Sequence, residues 1–217
     1  AGRLSMDDIV IWGAGGHAKV VAASIRRAGR FRIAGVIDDV SPARPGAPFF
    51  GATVLGDRSA FDALRSPQPV ALHLAFGHCG ARHRLGAELA ARGVAFPVLV
   101  DPSALIAEGV TLGDGCYVGP GAVVNADARI GGHTILNTGV VVEHDGVVGD
   151  AVHLAPRVCL AGHVSGGDPT FVGAGTVVRD DVRIGSDCLV GLGSVVVRSL
   201  PDGVRAYGCP AAIKETP

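Results

Sequence analysis

The chemistry available to this chain rests on a few side chains. Histidine comes first, because imidazole changes protonation near neutral pH. There are eight histidines. His144 is followed directly by Asp145. A carboxylate beside an imidazole raises its basicity and fixes its tautomer, which suits a general base. The spacing is equally that of a surface turn. His17 lies in Gly13-Ala14-Gly15-Gly16-His17-Ala18, where Gly13, Gly15 and Ala18 satisfy the pattern G-x-G-x-x-G/A. Such glycines let backbone approach a phosphate, and a following helix offers free N–H groups and partial positive charge. They also serve a plain tight turn, and His17 there either donates to a phosphate or sugar or stands in solvent. No covalent intermediate on a cysteine is expected. A metal centre would need histidines converging on one point. The spacings 144–153 and 153–163 supply no such pair, so no metal is expected.

The glycine turn is positioned by an alternation of strand and helix. Residues 8–12 (DIVIW) read as a short apolar strand. A helical pattern with Val21, Ile25 and Ala28 on one face follows and ends near Gly29. Residues 33–37 form a second strand closed by Asp38-Asp39, with Asp38 where a ribose-binding carboxylate would stand. This β-α-β unit predicts a parallel sheet. Residues 41–50 read as a loop and 58–64 as a short helix. Residues 70–76 read as a strand, 81–91 as a helix, and 95–100 as a return to the sheet. Only about 100 residues are available, against about 150 for a full dinucleotide fold, so half a domain holding one nucleotide is expected.

His144 and its neighbours are positioned by a different device. From Ile106 to Val196, every sixth residue is aliphatic except Gly166, and the position four further on is almost always small or β-branched. A period of six is neither helical nor a simple alternation. It is the repeat of a parallel β-helix, short strands and tight turns stacked into a solenoid. Three hexads make one triangular coil, so residues 18 apart stack at about 4.8 Å, and the series makes roughly five coils. In this register His144 is at a corner with Gly162 stacked on it, leaving room for a ligand beside a backbone N–H. His153 falls on the following edge. His133 and His163 read as surface positions. Asp168-Pro169 predicts a distorted turn.

Three segments follow: an α/β Rossmann-like half domain over 1–102, an all-β solenoid over 103–198, and a tail over 199–217. The net charge is −1 and the pI about 6.8, which advertises no nucleic-acid surface. The five cysteines show no C-x-x-C pair and read as free thiols of a reducing compartment. No stretch approaches about 18 uninterrupted apolar residues and no signal peptide precedes the first strand. A soluble, cytoplasmic protein is expected.

Gly13 to Ala18 with Asp38-Asp39, Asn137-Thr138-Gly139 through Glu143-His144-Asp145, and Tyr207-Gly208-Cys209-Pro210-Ala211 occur in the order seen in one family. The chain resembles the nucleotide-sugar N-acetyltransferases and sialic acid O-acetyltransferases over nearly its whole length. The resemblance implies a left-handed β-helix and a homotrimer, with acetyl-CoA as co-substrate between neighbouring solenoids and no metal. It implies His144 as general base and Asp145 as its supporting acid. His153, Gly162, Gly173, Ala174, Gly208 and Pro210 would line the acetyl-CoA site. Gly15, Gly16, His17, Asp38, Asp39 and Gly77 would hold a nucleotide-linked amino sugar. After Gly77 this chain carries His78-Cys79 where the family has a polar pair, so base or sugar recognition differs.

The expected reaction is attack of a sugar amine on the thioester carbonyl of acetyl-CoA. His144 would take the proton and the Gly162 N–H would receive the oxyanion. The preferred acceptor is a 4-amino-4,6-dideoxy sugar on UDP or GDP, GDP-perosamine being one such substrate. No residue chooses between uracil and guanine. The alternatives are O-acetylation of sialic acid or another sugar, a non-enzymatic nucleotide-sugar binder, and a metal-dependent hydratase.

Overall fold

A computed structural model describes residues 7–40, 45–64 and 70–214. The N-terminal part begins with β1 (Asp7–Trp12), α1 (Gly16–Ala28) and β2 (Phe31–Ile37). It continues with β3 (Pro48–Phe49), β4 (Ala52–Gly56), α2 (Arg58–Leu64), β5 (Ala71–Leu74) and α3 (Cys79–Ala91). The sheet order is β3-β4-β2-β1-β5, parallel except for the β3/β4 pair. β1 is apolar from Ile9 to Trp12 because that stretch is central, with Ile9, Val10 and Ile11 fully buried between helices on both faces. α1 ends where Gly29 adopts a left-handed φ of 65° and donates its N–H to the Ile25 carbonyl. The strand β4 falls where no strand was anticipated, and residues 41–44 of the expected loop lie outside those described.

The solenoid has three faces. The first contains Leu99–Val100, Tyr117–Val118, Ile135–Leu136, His153–Leu154, Phe171–Val172 and Leu189–Val190. The second runs from Leu105–Ile106 to Val195–Val196 and the third from Thr111–Leu112 to Arg183–Ile184. Between Leu99 and Val196 every pairing within a face is parallel and offset by 18 residues, as in Ile135 with Tyr117 on one side and His153 on the other. The second residue of each two-residue strand points inward. Val118, Val124, Leu136, Val142, Leu160, Val178 and Val190 belong to one continuous core. Residue identity at the small inward position also has a hydrogen-bonding reason. Thr134 and Thr170 donate to the carbonyls of Gly149 and Gly185 and accept from the N–H groups of Val152 and Cys188.

The corners repeat as well. A residue with positive φ recurs every six positions, from Gly109 through Asp127, His133, Asp145, Arg157 and His163 to Gly193, except at Pro169. Proline cannot adopt that φ. The Asp168-Pro169 turn therefore departs from its neighbours, while the strands on either side keep register. The Asp168 carboxylate accepts the N–H of Asp150 at 2.6 Å, which ties that corner to the coil before it.

One expectation is corrected where the solenoid begins. The strand at Leu99–Val100 pairs with Tyr117–Val118, so it opens the first solenoid face and is not a return to the N-terminal sheet. In the tail Arg205–Tyr207 extends the first face in parallel and Ala212–Lys214 closes it antiparallel. Among the described residues no helix is long and apolar enough to cross a membrane.

The N-terminal part sits on the first face, whose outward residues Leu99, Tyr117 and Ile135 share a core with Val21, Ile25 and Phe31. Ser24 on α1 donates to Asp101 at 2.6 Å and meets the Tyr117 hydroxyl at 2.8 Å, and Arg27 pairs with the same carboxylate. The strongest tie is Arg82 of α3, which is 1% exposed. Its guanidinium donates to the carbonyls of Phe76, His133, Ala151 and Val152, three of them on the solenoid. Around it lie His17, His73 and His153. Burial, with the neighbouring positive charge adding to it, holds His17 and His73 at a pKa of about 3 and His153 at about 4.

Two outcomes are expected. Arg82→Ala orphans several buried carbonyls and should lower unfolding free energy by at least about 3 kcal/mol in urea titration. Arg82→Lys should not restore it, because one ammonium cannot reproduce the planar fork. The three buried histidines are neutral in the fold and protonate near 6.5 when unfolded. Their contribution is therefore complete above that pH and is lost as pH falls toward their folded values. The slope approaches about 1.4 kcal/mol per pH unit for each. The urea midpoint should fall between pH 7.5 and pH 5; a flat profile would contradict neutral burial.

Candidate active site

The glycine turn connects β1 to α1 at the carboxyl edge of the N-terminal sheet. Gly13 has φ 116° and a Cβ there would lie 2.9 Å from the Ala75 carbonyl oxygen, so the turn itself requires glycine. Gly15 and Gly16 differ: a Cβ on either meets nothing within 4 Å. The fold leaves open space above the start of α1, where backbone N–H groups face outward.

His17 does not stand in solvent. Its ring packs edge-on against Tyr117 at 5.5 Å and lies 6.0 Å from His153, and its Nε2 is buried with no hydrogen-bond partner. Asp38 accepts the N–H of Val40 at the end of β2. Asp39 accepts the N–H of Arg58 at 2.9 Å and so ties down the start of α2, which is capped by Asp57 accepting from the N–H of Ser59.

Gly77 lies against the solenoid, its carbonyl 3.4 Å from His153 Nδ1. The Asn137 amide stands 3.2 Å from His153 Nε2, so the amide donates there and Nδ1–H donates to Gly77, which fixes one tautomer. Beside Gly77 the start of α3 and the first face enclose a cleft of about 450 Å³, bordered by His78, Pro169, Phe171, Asp187 and Arg205. His153 is thus 8% exposed at the domain junction. The structure groups it with the glycine turn and separates it from the other residues expected to line the acetyl-CoA groove.

His144 stands at the corner between the second and third faces. Its Nδ1 is 2.9 Å from Asp145 Oδ2, and both side chains are about half exposed. The hydrogen bond to Asp145, with the carboxylate charge adding to it, raises the His144 pKa above 6.5 and lowers that of Asp145. Gly162 lies one coil on. A Cβ there would come 2.7 Å from His144 Cε1 and 2.8 Å from Nε2, so the ring has its place because residue 162 has no side chain. The Gly162 N–H donates to nothing among the described residues.

His163, read from sequence as a surface position, belongs to this corner. Its Nε2 is 3.9 Å from Asp145 Oδ2 and its ring meets His144 edge-on at 5.2 Å. The signal was available: 163 is 145 plus 18, the arithmetic that pairs Gly162 with His144.

Gly173 and Ala174 occupy the corner between the first and second faces. Their coil is tied to the next by Gly173 N–H to Val190 and Gly193 N–H to Ala174. Gly208 and Pro210 lie where the tail reaches the second face: Val195 donates to Gly208, and Ala211 donates to Val195. The expected cofactor residues other than His153 therefore flank the second face. Its outward residues are all apolar: Leu105, Val123, Val141, Cys159, Val177 and Val195. Corner and glycine turn do not meet within one chain, because His144 is at the corner opposite the first face, which carries the N-terminal part.

Comparison with known proteins agrees with this architecture. The PglD N-terminal domain model matches residues 8–89, and the bacterial transferase hexapeptide (six repeats) model matches residues 97–126. GDP-perosamine N-acetyltransferase PerB from Caulobacter crescentus, solved with CoA and GDP-perosamine, is 42% identical. The match covers 99% of this chain and 100% of that one, with a TM-score of 0.90. The acetyltransferase domain of PglB from Neisseria gonorrhoeae, solved with acetyl coenzyme A, is 30% identical over 97% of this chain and 100% of that one, TM-score 0.88. WeeI from Acinetobacter baumannii is 28% identical over 97% and 100%, TM-score 0.85. No curated protein sequence matches. The chain belongs to the left-handed β-helix, hexapeptide-repeat sugar N-acetyltransferases and is a CoA-dependent acyltransferase.

Proposed function

We propose that this protein transfers the acetyl group of acetyl-CoA to the amine of a nucleotide-linked 4-amino-4,6-dideoxy sugar, with a GDP-linked sugar of the perosamine kind the leading acceptor. The observation that carries the reading is the His144–Asp145 pair, held at a solenoid corner over a glycine that keeps the imidazole clear. The similarity to PerB, solved with GDP-perosamine, supports the acceptor class.

The reaction needs a neutral amine, a polarised thioester and a sink for one proton. Asp145 accepts from His144 Nδ1, which leaves Nε2 as the free base to take the proton as the amine attacks. The Gly162 N–H stabilises the oxyanion, worth about 3 kcal/mol for a donor of this kind. The N-terminal part supplies the handle. Its helix start above Gly15 and Gly16, with His17, Asp38 and the cleft at Gly77, receives the nucleotide sugar.

A base at one side of a prism and a handle at the other require a second copy. In a homotrimer, cyclic symmetry sets the His144 corner of one prism against the N-terminal part of its neighbour. The apolar second face gives the copies a surface to bury, and acetyl-CoA lies along its edges past Gly162, Gly173, Ala174, Gly208 and Pro210. His153 then acts from the sugar side, fixed as a neutral imidazole by Asn137 and Gly77. A protein of this kind acts in the cytoplasm, where acetyl-CoA and nucleotide sugars are made, and feeds polysaccharide assembly.

Thiol release from acetyl-CoA should be strong with GDP-perosamine, weaker with UDP-linked 4-amino sugars and absent with sialic acid. Release with sialic acid alone would replace this reading by O-acetylation, and no release with any sugar would leave a binding protein. His144→Ala should lower kcat at least about tenfold. Gly162→Ala should do the same by displacing the ring. Since the base must be neutral, kcat/KM should fall as pH drops through a pKa above 6.5. Asp145→Asn should move that limb to lower pH; an unmoved limb would separate Asp145 from the base.

A further inference from the structure

The His144 corner holds a second chemistry. Asp145 and His163 occupy the same turn position in successive coils, with left-handed φ of 57° and 59°, and the His163 N–H donates to the His144 carbonyl at 3.1 Å. The three side chains are thus mounted on hydrogen-bonded backbone and do not wander on a loop. His144 Nδ1 and His163 Nε2 lie 2.9 and 3.9 Å from the same oxygen, Asp145 Oδ2. One donor atom from each residue lies within 4.8 Å of the others. Within the single chain the three side chains are 55%, 48% and 57% exposed.

Two imidazoles and one carboxylate suit a borderline transition metal; Mg²⁺ and Ca²⁺ prefer oxygen alone. Donors around a tetrahedral zinc stand about 3.4 Å apart, so small side-chain rotations bring these three into place. From this geometry we propose that His144, Asp145 and His163 form a site for Zn²⁺ or a similar divalent transition-metal ion, and that its occupation switches acetyl transfer off. The second half rests on His144 being the base.

A neutral imidazole carries one proton and one lone pair. With Asp145 accepting from Nδ1, the lone pair is on Nε2. If the metal takes Nε2, the pair is consumed. If it takes Nδ1, the proton moves to Nε2 and the pair is again lost. Either way His144 accepts no proton from the amine, and no proton is gained or lost overall. The ion is an inhibitor that competes with the base function and plays no part in the transfer.

Untagged, chelator-treated protein titrated with Co²⁺ should bind one ion per chain with the visible absorption of a four- or five-coordinate complex, and Zn²⁺ should displace it. His163→Ala should weaken Co²⁺ binding at least about tenfold, the loss of about 1.4 kcal/mol. Acetyl transfer by the wild type should fall with rising Zn²⁺ and recover with EDTA, and the half-inhibitory concentration should rise in His163→Ala by the factor read for Co²⁺. Absence of a Zn²⁺-displaceable cobalt spectrum, or equal affinity in His163→Ala, would overturn the site. Full occupancy with undiminished turnover would overturn the switch. The cobalt arm needs no turnover, so a protein that binds the ion but acetylates no sugar leaves the site standing and fails the catalytic reading.

Discussion

Each coil of the solenoid is hydrogen-bonded to the next through short parallel strands, and the offset is 18 residues at every pairing between Leu99 and Val196. That constraint decides which residues can meet. A side chain at a corner has its counterpart one coil away about 4.8 Å along the axis, and nothing in between can adjust the distance. Three arrangements follow directly. Gly162 must be small because His144 is where it is. Asp145 and His163 must be neighbours. The carboxylates of Asp150 and Asp168 reach the N–H groups of Gly132 and Asp150 one coil earlier and close those corners.

The same ladder leaves one face for the N-terminal part and withholds the opposite corner from it. Arg82 makes this docking specific. A buried guanidinium has no carboxylate partner here but four carbonyl acceptors in fixed positions. Its planar donors match that arrangement in one relative placement of the two parts, which also holds Gly77 against His153. Orientation of the substrate handle and integrity of the junction are thus one property, maintained by a residue that touches no reacting atom.

The six-residue period made the solenoid legible because its inward positions are local in sequence. The glycine turn was legible for the same reason: strand, turn and helix are contiguous. Gly162 beneath His144 followed from the register. What escaped reading depends on contacts between distant segments. Arg82 gives no local signal, since three of its four carbonyl acceptors are backbone groups 51 to 70 residues away. The register places His153 on its side of the coil but carries no trace of the N-terminal part that covers that face. Leu99–Val100 looked like a sheet strand because an apolar pair reads alike in either setting. His163 is legible in the same register as Gly162, since it follows Asp145 by 18 residues.

One fold tunes its histidines in opposite directions, and the difference is solvent. His17, His73 and His153 sit where water is excluded and Arg82 already supplies a positive charge, so protonation is resisted well below neutral pH. His144 sits in the open against a carboxylate, so protonation is favoured. At neutral pH His153 therefore keeps fixed donor and acceptor roles, as the Asn137–His153–Gly77 chain requires. The exposed corner combines a free lone pair with readiness to gain charge. A base needs that combination, and so does a metal ligand. Excluding water from the corner would guard it against ions but would take away the basicity that makes it useful.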